Sequence, residues 1–283
     1  MRDSDSATRL DLHRMGKPPS TSSYRDVEMP GQPVTIDTFR TVVLRYVTAG
    51  ETARGRRILE LGCGPGLGLE YLRECGASRV VGADRNPVLL ELARTCSSPG
   101  APVVRCDAAR LPFAERTFEM VLLLEVLMYL ADPVAVLREV RRILAPGGSV
   151  LLTMPNPEAM AVRSPGSAVH FYSHGQVRQL LLQAGFAAEL FGAFPFEPGA
   201  KERVGSRRTA GRVLDGLERC GFPHGLRMRL TGAVLGKNQR LPVRIDATHC
   251  GLLPEGDGAE AALFGAPDEC RVLYAWGRTV RES

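Results

Sequence analysis

The sequence predicts a doubly wound α/β fold, a mostly parallel sheet with helices on both faces, and three observations predict it. Short apolar runs alternate with helix-period segments from Val34 to Phe191. Helix starts are marked by an Asn or Asp cap followed by proline, at Asn86-Pro87 and Asp132-Pro133. Glycines close the helices or open the turns between them, at Gly62, Gly76, Gly147 and Gly185.

Each element has its own warrant. Phe39, Val42, Val43, Tyr46 and Val47 recur at i, i+3, i+4, i+7 and i+8, which predicts an amphipathic helix over 36–49. Residues 57–61 form a short buried strand, and a helix over 67–75 ends at Gly76. A second strand covers 80–84, with a helix from Pro87 to about Cys96. Strand three covers 103–106, and the fully apolar strand four covers 120–124. Val136, Leu137, Val140, Ile143 and Leu144 share one helical stripe, ended by Pro146-Gly147-Gly148, and strand five follows over 149–154. Ser173-x-x-Gln176 is a capping box for a helix that Gly185 terminates. Strand six covers 186–191, and the last strand covers 271–276.

The chain divides accordingly. Residues 1–33 are polar and proline-containing, and read as a flexible arm or lid. Residues 34–194 are the core and 268–283 its final strand. Between them, 195–267 breaks the rhythm, with helices expected around 209–219 and 225–235; a segment this long inside a domain reads as a substrate cap. Residues 195–245 carry eleven Lys/Arg against four Asp/Glu, leaving 25 against 27 in the rest of the chain. The net charge of +5 is therefore concentrated there, where it could attract an anion, a membrane surface or RNA.

Composition narrows the class. The 283 residues are 44% hydrophobic and 24% charged, ordinary for a protein with a sizeable core. No apolar run approaches the roughly 20 residues of a membrane span, and the first 30 lack a secretory apolar region, so a cytoplasmic protein is expected. Seven cysteines occur with no C-x-x-C pair, which suggests neither a disulfide framework nor a zinc knuckle. His224, His249 and Cys250 are too far apart in a glycine-rich stretch to suggest a metal centre.

A doubly wound sheet binds ligands beyond the carboxyl ends of its strands, and three polar signals fall there. After strand one comes Gly62-Cys63-Gly64-Pro65-Gly66, a turn whose backbone can approach a ligand closely, with a helix N-terminus suited to a carboxylate behind it. Strand two ends in Asp84, which can accept both hydroxyls of a ribose. Strand three ends in Asp107, an acceptor for the exocyclic amine of an adenine. The dinucleotide fingerprint G-x-G-x-x-G is not met, because Leu67 stands at its third glycine, and no Walker G-K-[ST] occurs.

Taken together, E-L-G-C-G-P-G at 60–66, G-A-D at 82–84, C-D-A-A-R-L-P-F at 106–113, T-F-E-M-V at 117–121 and L-A-P-G-G at 144–148 resemble the successive motifs of class I S-adenosylmethionine-dependent methyltransferases. Within the class the chain is similar to the ubiquinone/menaquinone-methyltransferase-like (methyltransferase type 11) group, a likeness strengthened by Thr153-Met154-Pro155-Asn156 and His170-Phe171-Tyr172-Ser173. The resemblance implies a Rossmann-like, seven-stranded sheet of order 3-2-1-4-5-7-6 with the last strand antiparallel. It implies S-adenosylmethionine as cofactor and S-adenosylhomocysteine as product. Glu60, Gly62, Cys63, Gly64 and Gly66 would face the methionine part, Asp84 the ribose, Asp107 and Ala108 the adenine, with Arg85 beside it. Leu124 and Glu125 would line the pocket near the sulfonium. Glu119 replaces the usual Asp of the family. The run Glu125-Val126-Leu127-Met128-Tyr129 lacks the second Glu and the His of a metal-ligating E-x-x-E-H, so no metal is expected.

For catalysis the candidates are Tyr129, His170 and His174, with Tyr129 and Tyr172 as substrate contacts. The first functional reading is methyl transfer to a small molecule, most often at an oxygen, in specialised or quinone-type metabolism. A second is methylation of RNA or another polyanion through the basic insertion, for which the aromatics are sparse. The third is a non-catalytic cofactor-binding partner protein. Homo-oligomerisation is left open by the sequence.

Overall fold

The computed structural model describes residues 27–96, 101–157, 170–195, 238–253, 263–264, 267 and 270–279. In chain order these form β1 (Pro33–Thr35), α1 (Ile36–Gly50), β2 (Arg57–Leu61), α2 (Leu69–Glu74), β3 (Arg79–Asp84), α3 (Pro87–Cys96), β4 (Val103–Arg105), β5 (Phe118–Leu124), α4 (Pro133–Ile143), β6 (Leu144–Pro155), α5 (His174–Gln183), β7 (Phe186–Pro195), β8 (Asn238–Arg240), β9 (Leu263–Phe264) and β10 (Cys270–Thr279).

The main sheet runs β4-β3-β2-β5-β6-β10-β7-β9. Strands β4 to β6 pair in parallel, and β10 is antiparallel to both β6 and β7. This is the expected order 3-2-1-4-5-7-6, extended at one edge by the two-residue β9. The order reverses at β2, so the turns after β2 and β5 flank the crevice where a doubly wound sheet takes its ligand.

Two apolar layers hold the sheet. On one face α1 and α2 bury Val42, Val43, Tyr46, Leu69 and Leu72 against Ile58, Leu122 and Tyr274. On the other, α4 and α5 bury Val136, Leu137, Val140, Ile143, Val177 and Leu181 against Leu59, Val121 and Leu152. The helix starts are as the sequence predicts. Asp132 accepts from Ala135 N at 2.9 Å with Pro133 next, and Ser173 and Gln176 close a capping box on α5.

Three features differ from expectation. Strand β6 starts at Leu144, and its register against β5 jumps from Phe118↔Leu144 to Met120↔Ser149. The Ala145–Gly148 stretch is therefore a bulge inside a strand rather than a turn before one. Pro33–Thr35 pairs antiparallel with Asn238–Arg240, tying the end of the arm to the insertion. Residues 238–253 then pack on the core: Leu241 and Ile245 are buried, and Ile245 N donates to Leu67 O at 2.6 Å. The helices expected at 209–219 and 225–235, and residues 1–26 of the arm, lie outside the described residues.

Candidate functional site

The turn after β2 is built by its glycines. Gly62, Gly64 and Gly66 all have positive φ (79°, 53° and 75°). At Gly62 a Cβ would also lie 2.4 Å from Val126 Cγ2, so both its conformation and its contact with the turn after β5 require glycine. Gly62 N and Cys63 N both donate to Ala83 O, at 2.7 and 3.0 Å, which folds the turn over the end of β3.

Asp84 locks that arrangement. Its Oδ2 accepts from Gly64 N at 3.0 Å, and its Oδ1 accepts from Asn86 N at 2.8 Å. One half-buried carboxylate thus joins the glycine turn to the start of α3. Arg85 is exposed, and its carbonyl accepts from Arg105 Nε at 3.3 Å. Asp107 is exposed at the end of β4, and its Oδ1 accepts from Ala109 N at 2.9 Å beside half-buried Ala108. Cys63 is buried, and burial followed by the charge of Glu60 pushes its thiol well above the ordinary range. It packs as a neutral side chain and not as a reactive thiolate.

Beneath the turn lies a buried polar layer. Glu60 is 2% exposed and accepts from Tyr46 OH at 2.8 Å, while its second oxygen has no partner. Burial pushes its carboxyl up to about 8, opposed by the Tyr46 hydrogen bond and reinforced by the charges of Asp84 and Glu28. At neutral pH it is therefore largely a neutral acid with a proton to donate. Arg45, one residue before Tyr46 on α1, is buried too. Its Nη1 donates to both oxygens of Glu28, at 2.8 and 3.0 Å, and its Nη2 lies 3.1 Å from Glu125 Oε1. Burial works against its charge, but Glu125 and Glu28 outweigh burial and raise its pKa above the usual arginine value.

Glu125 follows β5 with φ at +59°, a left-handed conformation costing a non-glycine residue on the order of 1 kcal/mol or more. Its N–H donates to Thr153 O at 3.0 Å, which holds the strained residue against β6. Burial lifts its carboxyl to about 7, opposed by Arg45 and assisted by Glu28. Leu124, just before it, is 9% exposed. The hydroxyl of Tyr274, on β10, is buried without a hydrogen-bond partner near the same charges.

The remaining sequence candidates gather after β5. Tyr129 is half-buried in a 3-10 turn over Leu127–Tyr129. His170 N donates to Met128 O at 3.2 Å, and the His170 and Tyr172 rings lie 4.5 Å apart. This brings His170 and Tyr172 to the Leu127–Tyr129 turn. His174 opens α5 just after its Ser173 cap, half-buried.

Sequence reasoning missed Glu28, Arg45 and Tyr274. The available signal was Arg45 itself, a charge inside the otherwise apolar run from Val42 to Val47. His249 is structural: its Nδ1 lies 2.9 Å from Asp246 Oδ1 in a capping box, and its ring packs edge-on against Phe39. Among the described residues no cluster of His, Cys, Asp or Glu could hold a metal ion, and no helix is long and apolar enough to cross a membrane. A cavity of about 530 Å³ opens at the opposite, amino end of the sheet, lined by Thr48, Arg56, Ser149, Trp276 and Arg278. It touches none of the glycine turn.

Residues 59–152, from β2 through β6, match a family model described as a methyltransferase domain. Residues 59–152 thus form a methyltransferase domain. The chain is 33% identical over 148 residues to a ubiquinone biosynthesis O-methyltransferase of Xanthomonas oryzae, covering 50% of this chain and 61% of that one. It is 30% identical over 218 residues to a 37.1 kDa protein in a Streptomyces fradiae transposon, covering 69% and 62%. The chain thus spans about three fifths of the length of these curated relatives. Crystal structures of S-adenosylmethionine-dependent methyltransferases share the fold. One from Mesorhizobium loti has TM-score 0.51 at 20% identity, covering 82% of this chain and 95% of its own. One from Thermotoga maritima has TM-score 0.51 at 15% identity, covering 87% and 92%.

The residues present suit this cofactor. The glycine turn leaves room for close backbone approach, Asp84 and Asp107 offer acceptors at successive strand ends, and Glu60 presents a buried oxygen without a partner.

Proposed function

We propose that the protein methylates a small-molecule acceptor at an oxygen atom, in specialised or quinone-like metabolism. The carrying observation is Asp84, which binds the glycine turn to the β3–α3 junction while standing at the switch point of the sheet. The relative from Xanthomonas oryzae supports oxygen as the acceptor atom.

When bound, S-adenosylmethionine supplies a methyl group already activated on a sulfonium. Gly62, Gly64 and Gly66 would hold its methionine part, with Cys63 as buried packing and Glu60 as donor beneath. Asp84 would hold the ribose, and Asp107, Ala108 and Arg85 the adenine. Leu124 and Glu125 would line the side nearest the sulfonium, and Tyr129, His170, Tyr172 and His174 would face the acceptor. The protein's task is mainly to hold acceptor and methyl in line, an effect that can supply roughly 7–11 kcal/mol of the barrier. The 195–267 insertion, whose Leu241 and Ile245 are buried on the core, would serve as its cap.

The test is product formation. Incubating the full chain with S-adenosylmethionine and a panel of phenols, alcohols and amines is expected to yield S-adenosylhomocysteine with an oxygen acceptor. Product with amines alone would overturn the acceptor assignment.

A further inference from the structure

We propose that Glu125 takes up the acceptor's proton during methyl transfer, with Arg45 and Glu28 as the positioning residues that set its ionisation. This rests on the methyl-transfer reading above and adds the residue that performs its proton chemistry.

Four observations carry it. Glu125 follows directly on β5, at the carboxyl edge of the sheet, and the next residue, Val126, closes on Gly62 of the cofactor turn. Its backbone is held left-handed at +59°, a conformation that a non-glycine residue keeps only where its surroundings enforce it. Its Oε1 is buried against Arg45 at 3.1 Å without a hydrogen bond, yet the side chain keeps 22% of its surface exposed. The carboxylate is therefore anchored at Oε1 while the side chain is not sealed off from the surface. Finally, the set Glu28, Arg45 and Glu125 sums to one negative charge, so a proton arriving at Glu125 neutralises it.

The charged and titratable groups facing Glu125 are Arg45 from α1, Glu28 from the segment before β1, and the Tyr274 hydroxyl from β10. Burial lifts Glu125 to about 7, Arg45 opposes this and Glu28 adds to it, so the group exchanges a proton near neutrality.

The step balances as follows. The acceptor's O–H bond breaks and its proton passes to the free carboxylate oxygen of Glu125. The oxygen lone pair forms the new bond to the methyl carbon, and the electron pair of the S–CH3 bond returns to sulfur as a neutral thioether. Glu125 then releases the proton to water. A carboxylate of this basicity suits a phenolic hydroxyl, which is far more acidic than that of an alkyl alcohol.

Two readouts test the role. The first needs no acceptor: a carbon-detected NMR titration of the Glu125 carboxyl, assigned with Glu125→Gln, in the wild type and in Glu28→Gln. The midpoint is expected near neutrality and at lower pH in Glu28→Gln, because a like charge has been removed. The second is methylation of catechol and of its saturated diol analogue across pH. Catechol is expected to react, and Glu125→Gln to lower its kcat by roughly 10²–10⁴-fold. Glu28→Gln should shift the rising limb of the pH profile to lower pH. Glu28 is a third exposed, so this variant keeps the test open if Glu125→Gln does not fold. A midpoint in the ordinary carboxylate range, no shift in Glu28→Gln, or a rate and pH limb that survive Glu125→Gln would each overturn the proposal. So would reaction of neither diol while S-adenosylmethionine binds. Failure of the wild type to bind S-adenosylmethionine would instead overturn the functional reading beneath it.

Discussion

Asp84 illustrates how much a single side chain organises. Both of its oxygens accept backbone N–H groups, from Gly64 and Asn86, so removing it frees the glycine turn as well as a ligand contact. Charged acceptors of this kind contribute about 1.5–3 kcal/mol each. Asp84→Ala is therefore expected to weaken S-adenosylmethionine binding about tenfold or more. Glu60 carries a different prediction. Its carboxyl is raised by burial, so its stabilising effect is complete below the ordinary carboxylate pKa and is lost as pH rises toward about 8. Gln keeps an acceptor for Tyr46 and cannot ionise. Glu60→Gln should therefore match the wild type near pH 4 and exceed it in stability at pH 8 by about 2–4 kcal/mol. Urea denaturation at the two pH values checks this, and a gap that does not widen with pH would contradict it.

At the scale of elements, α4 is the clearest case of sequence-coded structure. Asp132 caps it, Pro133 opens it, and its apolar stripe meets the sheet with Val136, Leu137, Val140 and Ile143 at 3% exposure or less. Asp132→Ala should cost about 1 kcal/mol in chemical denaturation through loss of the cap alone. Helix α1 was legible only in part. Its apolar period is plain, but from Val42 to Gly50 it is buried on all sides, so Arg45 lies inside rather than on a solvated face. Periodicity reports one face and cannot report what covers the other. The start of β6 differs from its sequence pattern for a similar reason. Pro146-Gly147-Gly148 has turn chemistry, and whether that makes a turn or a bulge depends on the pairing with β5.

At the scale of the molecule, the glycine turn with its two acidic partners could be read because it rests on local chemistry at the strand ends, whereas the strand order followed from the family resemblance alone. The pairing of β1 with β8 could not be read. Each strand has three residues, and some two hundred residues separate them, so no local pattern records the contact. That pairing nevertheless brings Leu241 and Ile245 onto the core and Glu28 onto Arg45. Ile245 is fully buried, and Ile245→Ala is expected to cost about 2–5 kcal/mol in the unfolding of the whole domain. A loss below about 1 kcal/mol would mean that this segment is not part of the folded unit.

The central claim is that the turn at 62–66 and Asp84 form the site for the methyl donor. Isothermal titration calorimetry of S-adenosylmethionine against the wild type and Asp84→Ala tests it most directly. One site per chain is predicted for the wild type, with affinity reduced about tenfold or more in the variant. Equal affinity for the two proteins, or no binding to the wild type, would contradict it.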